Sequence, residues 1–586
     1  MTKTSLVDAD SLLALEVGSV NTHASLFDMV ADRYRFLASG SAASTAEAPM
    51  LDIIEGARSA ITQLSSVSGR KFIDSDDSLI IPTAKDGAGV DRFVGTISAG
   101  EPLKVLAVGL LKDVSLESTR KLIDPFNAVI VDTFSLNDLR SASDQIDAFL
   151  RHRPDLVVVT GGSNNGASKS VLELVNTLRM ALDLQPSRLR PEVLYAGNEA
   201  IVDQVQTMLA SLTSFSSVPN VRPSLDVENL IPAETRLVEI SRRILGSKIL
   251  GVQDLDTIAK GHFIPTSIAY GRVVRFLSRL HDSRKGVLGV DIGASTTTIA
   301  AAFGGELNLD AYTGFGIGEG LKGLLSTLDP KAVLEWVPFE INEGDVTNYI
   351  YNKTIYPSSL PATPEDLAIE HALARQVVRT ALNRSKARFP EKLPGPSDPE
   401  RMPWFEPILV GGSVITQAAS LAQSLLLALD SIEPTGISRL ILDKNSLAPA
   451  LGVAAGINSL LSVQVLESNA FLNFGTVISP VGRGRTGIKV LRLKIVYSSG
   501  QENTIEVRNG EIVRVPLPIG AAAQVHLQPL NRFDVGMGGP GKSGRLNVVG
   551  GHFGLLVDAR GRPVRLPKSI NKRRQMFDRW YSALSD

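Results

Sequence analysis

The chain has 586 residues, 44% of them apolar and 21% charged, with 60 basic side chains set against 61 acidic ones. That length exceeds what one core organises and predicts about three to five compact units of ~100 to 200 residues, while the balanced charge supplies no field for steering nucleic acid, so a nucleic-acid partner is not expected. There is no cysteine and there are only 7 histidines, which excludes disulfides, thiolate metal sites and cysteine nucleophiles and suits a reducing cytoplasm.

In chain order, the opening stretch "MTKTSLVDADSLLALEVGSV" places Asp8, Asp10 and Glu16 inside what would be the apolar core of an export signal. Charges interrupt every long apolar run, as Asp291 does in "VLGVDIGASTTTIAAAF". No run therefore supplies the ~20 uncharged residues of a membrane span, and a cytoplasmic protein is expected. Residues 13 to 28 read as two short strands joined by a glycine, serine and asparagine turn, and a helix follows over about 50 to 66, where Leu51, Ile54, Ile61 and Leu64 recur near the helical period. Between 103 and 212 the apolar runs "LKVLAVGL", "AVIVDTFS", "DLVVVTGG" and "EVLYAG" alternate with amphipathic segments, the pattern of a wound α/β unit with parallel strands. Within it "VVVTGGSNNG" reads as a strand-to-helix turn, with a second nucleotide site as the alternative.

Two further apolar strands end in glycine turns, "VLGVDIGA" at 287 to 294 and "PILVGGS" at 407 to 413, with a long helix expected between them over 364 to 386 and a proline-rich surface loop after it. Beyond about 470 the pattern turns to strands around an Asn509-Gly510 turn, predicting a β-rich end. The last residues predict a short helix with Phe577, Trp580 and Leu584 on one face, docked on the core. "GMGGPGKS" at 536 to 543 fits the phosphate-binding pattern G-x-x-x-x-G-K-[ST] letter for letter. A true phosphate loop needs a buried strand before it and a helix after it. Here Pro529, Asn531 and Arg532 break the run before it and β-branched alternation follows, so it reads as a glycine-rich connection.

Taken in order, "LALEVGSVNT" at 13 to 22, "FIPTSIAYGRVVRFL" at 263 to 277, "LGVDIGASTTT" at 288 to 298, "ILVGGSVIT" at 408 to 416 and "APALGVAAGINSLL" at 448 to 461 form a series. The series resembles the signature segments of the actin-like ATPase superfamily: first phosphate loop, first connecting helix, second phosphate loop, adenosine loop, second connecting helix. The resemblance implies an α/β, actin-like ATPase (ribonuclease H-like) two-lobe fold binding ATP and magnesium. Carried across, Gly18, Ser19 and Asn21 would meet phosphates from one hairpin and Gly293, Ser295, Thr296 and Thr297 from the other. Gly411, Gly412 and Ser413 would face the nucleoside. Glu16 and Asp291 would be the catalytic carboxylates, holding magnesium through water. Small residues, Ala269 and Gly271 in one connecting helix and Ala450, Gly452, Ala454, Ala455 and Gly456 in the other, would let the two cross closely. The expected division is 1–102 for the first part of one lobe, 103–250 for the inserted α/β unit, 251–470 for the first connecting helix and second lobe, and 471–586 for a β-rich C-terminal module.

"RPDLVVVTGGSNNG", "VLYAGNEA", "VPNVRP", "IPTSIAYG" and "GVDIGASTTT" add a resemblance to the glutamate-mutase-associated MutL family, unrelated to the mismatch-repair protein of similar name. This implies a chaperone or reactivating role toward a protein partner, a cobalamin-dependent mutase. The sequence departs from the family patterns in Glu16 for aspartate, His23 for lysine and Thr298 for aspartate, in Ile264 where related chaperones carry a water-orienting glutamate, and in "YTGFGIGEGLKG", whose single acid is Glu319. Loss of a water-positioning group slows hydrolysis by orders of magnitude, so a slow ATPase is expected. The alternatives are a non-catalytic, self-associating actin-like scaffold, or a kinase or amidohydrolase subunit, which would need a catalytic acid that the sequence does not place.

Overall fold

A computed structural model describes residues 10–325, 327–390, 392–396, 398 and 400–585. The chain forms two compact units, one gathering the segments up to Ala43, Ser59–Thr96 and Thr266 onward, the other Ser44–Arg58 and Ile97–Pro265.

The first unit holds two sheets that begin alike. In one, Arg33–Ala43, Asn21–Val30, Leu12–Val17 and Arg92–Ile97 lie side by side in that order. In the other the order is Glu306–Thr313, Thr296–Phe303, Gly286–Ile292, Phe405–Gly411 and Gly436–Leu442, continued by Leu472–Ser479, Leu555–Asp558 and Ile512–Val515. Each therefore opens with a three-strand antiparallel meander whose first strand is the inner one. In the second sheet Phe405–Gly411 and Gly436–Leu442 then join in parallel. The parallel strands are covered on both faces and accordingly read as apolar runs, with Val290, Val410 and Leu440 fully buried. One side is closed by the helix Pro364–Lys386, whose start is fixed by a Thr363–Asp366 capping box with proline at the first helical position. Its Ala372, Leu373, Val377 and Ala381 pack into the core with Trp336 and Leu425.

The β-rich segment after 470 divides. Three of its strands extend the second sheet, as above, while Lys489–Tyr497, Glu502–Arg508, Ala522–Pro529 and Gly544–Val549 make a sheet of their own. A buried ion network accounts for the first group: Asp558 bonds Arg560 at 2.8 Å and Arg562 at 2.9 Å, Arg560 reaches Asp430 at 2.7 Å, and Asp430 also takes Arg375 of the long helix at 3.0 Å. Removing one member would strand a buried charge. The terminal helix Ile570–Leu584 docks through buried Trp580 and Leu584, with Phe577 packed beside Trp580. The stretch 536–543 is a turn with Gly536, Gly538, Gly539 and Gly541 at positive φ, and a strand, not a helix, follows it.

The second unit is a wound α/β body with five parallel strands in the order Ala128–Phe134, Leu103–Val108, Leu156–Val159, Glu192–Tyr195, Phe215–Ser217. Helices Ser115–Ile123, Ala142–His152, Ser168–Leu184 and Val202–Leu209 connect them. The turn after Val159 is filled by the chain itself: the Asn220 amide donates to Gly162 O and Asn164 Oδ1, both at 2.9 Å, and Asn198 Oδ1 accepts from Asn165 N at 3.1 Å. "VVVTGGSNNG" is thus a self-satisfied strand-to-helix turn. Ile264 is buried within this unit.

Candidate functional site

Glu16 stands near the end of the first strand and Asp291 near the end of its counterpart in the second sheet, each one residue short of the last strand position. The tips that follow, "VGSVN" and "IGAST", are built identically: Gly18 N donates to Asn21 O and Gly293 N to Thr296 O, both at 2.9 Å. A β-carbon would lie 2.8 Å from Asn21 O at Gly18 and 2.9 Å from Thr296 O at Gly293, so a side chain at either position would press on the oxygen that closes the turn. Across the strands Glu16 faces His23 and Asp291 faces Thr298. The backbone amides of Ser19, Val20, Ala294 and Ser295 make no hydrogen bond among the described residues. Successive free amides at a turn form a concavity for an anion.

The second tip is held from outside by a segment whose role the sequence did not reveal. Gly314 N donates to Ser295 O at 3.1 Å, Ile317 N to Gly293 O at 2.9 Å and Gly320 N to Ala294 O at 3.0 Å. The strap lies so close that a β-carbon would come within 2.4 Å of Ala294 O at Gly316 and 2.5 Å of Ser295 O at Gly320. Its glycines are spacing for that contact. The exposed Glu319 rides on it.

Around the tips, polar atoms are enclosed without partners: Glu16 Oε2, Thr296 Oγ1, Thr297 Oγ1 and, at the position equivalent to Thr297, Thr22 Oγ1. Thr297 and Thr22 are buried beneath their tips, whereas Ser19, Ser295 and Thr296 are half-exposed and Asn21 and Ser413 exposed. Gly411 and Gly412 are also required by the protein's own packing. A β-carbon at Gly411 would lie 2.8 Å from Asp291 Oδ1, and one at Gly412, where φ is +96°, only 2.1 Å from Ile292 O. They give the second hairpin room.

Three carboxylates share the floor. Burial, then the charges of Asp291 and Asp443, push Glu16 well above its ordinary range; burial and Asp443 raise Asp291 to about 7. Asp443, at the end of Gly436–Leu442, is raised by burial to about 6 although Leu447 N and Ala448 N donate to it at 2.8 and 2.7 Å. No basic side chain enters these balances among the described residues. A set of acids with an unpartnered oxygen and no counter-charge fits a divalent cation, and oxygen donors suit magnesium. Among the described residues no three such groups crowd closely enough to grip an ion directly.

Asp443 was not singled out from sequence, although an acid between an apolar strand and a helix start is a recognisable signal. By holding Leu447 N and Ala448 N it fixes the helix Leu447–Ala454. That helix crosses Thr266–Leu280 with its backbone against the other: a β-carbon on Gly452 would lie 1.9 Å from Ala269 O. Gly271, by contrast, faces Leu309 of the sheet. Tyr270 of the crossing helix donates its hydroxyl to Leu409 O at 3.2 Å and lies within the field of Asp291 and Asp443, which together with burial raises its pKa.

Strand order and twinned hairpins define an actin-like ATPase fold. Residues 12–470 match the MutL protein family, the glutamate-mutase-associated one, and the chain belongs to that family. No curated protein matches it significantly. Among solved structures it is similar to acetone carboxylase in its nucleotide-free form, at 11% identity over 86% of this chain and 81% of that one with a TM-score of 0.34. It is also similar to a glycerol dehydratase reactivase, at 11% over 76% and 100% with 0.29, and to a nucleotide-free diol dehydratase-reactivating factor, at 10% over 78% and 100% with 0.28. These likenesses are too loose to bear on function. No helix among the described residues is long and apolar enough to cross a membrane.

Proposed function

We propose that the chain binds ATP with magnesium between its two glycine hairpins and uses the bound nucleotide to drive motion of the crossing helices against a protein partner. The observation that carries this reading is the pair of matched tips, each closed by a 2.9 Å bond and each leaving two successive amides free. The amides of Ser19, Val20, Ala294 and Ser295, with the hydroxyls of Ser19, Ser295 and Thr296, would receive phosphate oxygens. Glu16 and Asp291 would hold the hydrated ion, which when bound neutralises phosphate charge. Asp443 links the ion's surroundings to the start of the second crossing helix, which gives occupancy a route to the hinge. Family membership favours a cobalamin-dependent mutase of the glutamate-mutase type as the partner, served as a chaperone or reactivating factor, and Ile264 in place of an acid favours slow turnover.

Titration calorimetry with magnesium-ATP tests the core of the reading. Saturable binding is expected, with a loss of about 10- to 100-fold in affinity for Asp291→Ala, the range found on removing a group that organises a metal site. No heat at millimolar nucleotide, or binding untouched by the substitution, would sink it.

A further inference from the structure

The separate C-terminal sheet runs in the order Glu502–Arg508, Lys489–Tyr497, Ala522–Pro529, Gly544–Val549, antiparallel throughout. One face is core: Leu491, Leu493, Ile495, Val525 and Leu527 are buried. Alternation along the strands puts a different set of side chains on the other face, and the register aligns Thr504, Lys494, His526 and Arg545 in a single row across all four strands. Neighbouring strands lie about 4.8 Å apart, so three nitrogen bases stand side by side with no acid between them. Like groups directly opposite in a sheet destabilise it.

Part of that charge is answered on the outer strand, where Glu502 takes Lys494 and Glu506 takes Arg492, both at 2.8 Å. Arg545 has no acidic partner among the described residues, and neither has Lys542 of the glycine turn 536–543. The face encloses a groove of about 510 Å3 lined by Lys494, Thr504, His526, Ser543 and Arg545 among others. Ser543, the last residue of the phosphate-loop look-alike, lines this groove, and the exposed Lys542 precedes it in the chain. Around Gly538, Gly539 and Gly541 nothing lies within 4 Å of where a β-carbon would stand, so this turn is bare backbone.

We propose that this groove docks an acidic segment of a partner protein, its carboxylates meeting His526 and Arg545 in the groove and Lys542 beside its lining residue Ser543. Nucleic acid fits the face less well. Glu502 and Glu506 would repel a phosphate backbone crossing the sheet, and the outward set Arg492, Lys494, His526, Gln528 and Arg545 offers none of the Phe, Tyr or Trp rings on which single strands stack. A peptide can place acids at one end of the groove and neutral or basic residues beside the glutamates. The proposal is independent of the nucleotide site.

A fluorescent peptide of alternating glutamate and alanine, titrated into the full chain and read by anisotropy, tests it. Saturable binding is expected that weakens as salt rises from about 0.05 to 0.3 M, since exposed charges are screened over a shrinking distance. It should fall at least tenfold in the Lys542→Glu, Arg545→Glu double variant and less in Arg545→Gln, which guards against misfolding of the reversal. Absence of saturable binding, binding indifferent to both variants, or tighter binding of a single-stranded oligonucleotide of equal charge would overturn it.

Discussion

The tips at Gly18 and Gly293 close with the same bond length and the same register, yet one is strapped and the other is not. Gly314, Ile317 and Gly320 donate to all three carbonyls of the second tip; no comparable segment engages the first among the described residues. The carboxylates differ in the same direction. Asp291 is short and packed against Gly411, whereas Glu16 carries an extra methylene and leaves Oε2 without a partner. A turn's shape is thus local, set by strand, glycine and strand, but its rigidity is tertiary. The second hairpin is the preorganised half of the site and the first is the half free to adapt.

The largest expected effect probes that rigidity. Gly412→Ala adds a carbon 2.1 Å from Ile292 O at a φ of +96° and should cost about 2 to 4 kcal/mol of stability, the range for a backbone clash joined to strain. Gly18→Ala meets a single oxygen at 2.8 Å in the unstrapped hairpin, where a small shift of the turn relieves it, and should cost about 1 kcal/mol. Urea denaturation separates the two, and equal losses would mean that the backbone clash at Gly412 is relieved as easily as the single contact at Gly18.

Exchanging the acids should have a smaller effect, and an unequal one. In Asp291→Glu the added methylene enters a space already tight enough that a β-carbon on Gly411 would lie 2.8 Å from Oδ1. Magnesium-ATP affinity should drop about tenfold, near 1.4 kcal/mol. Glu16→Asp shortens a side chain that, in the proposed reading, would hold the ion through water in an adaptable hairpin, and calorimetry should find a change of under about threefold. The reverse ranking would place the rigid half of the site in the first hairpin.

The comparison also marks what the sequence made legible. Both hairpins were readable because apolar strands flank a glycine turn at each, and the long helix expected over 364 to 386 is Pro364–Lys386, its start marked by Thr363, Pro364 and Asp366. The strap was not: "YTGFGIGEGLKG" stood out only for its single acid, Glu319, since its glycines answer to carbonyls near Ala294 that no local pattern shows. Gly411 and Gly412 were legible as necessary glycines, but the clashes with Asp291 and Ile292 that they avoid were not, since those neighbours come from another strand. Asp443 carried a local signal as the acid before a helix start, with its partners Leu447 N and Ala448 N four and five residues on, but its nearness to Glu16 and Asp291 crosses strands and no local pattern shows it. The split of the segment after 470 between two sheets rests on the buried Asp558–Arg560–Asp430 contacts, pairings distant in sequence that periodicity cannot signal.

The smallest expected effect is a pH slope. With no ion bound, Asp291 titrates at about 7 against an unfolded value near 3.9. Because the folded value is the higher one, the stability its neutral form contributes is fully present below about pH 4 and is lost as pH rises through about 7. A divalent cation reverses the preference, since it binds the ionised carboxylate. The rise in thermal midpoint on adding magnesium-ATP should therefore be smaller at about pH 5.5 than at about pH 8, where no proton has to leave. The nucleotide's own phosphate also titrates in this range, so the informative quantity is the difference from Asp291→Asn, which keeps the phosphate's contribution and loses the carboxylate's. A slope shared equally by both chains would mean that the ion sits away from Asp291, and would move the weight of the site toward Glu16 and the unstrapped hairpin.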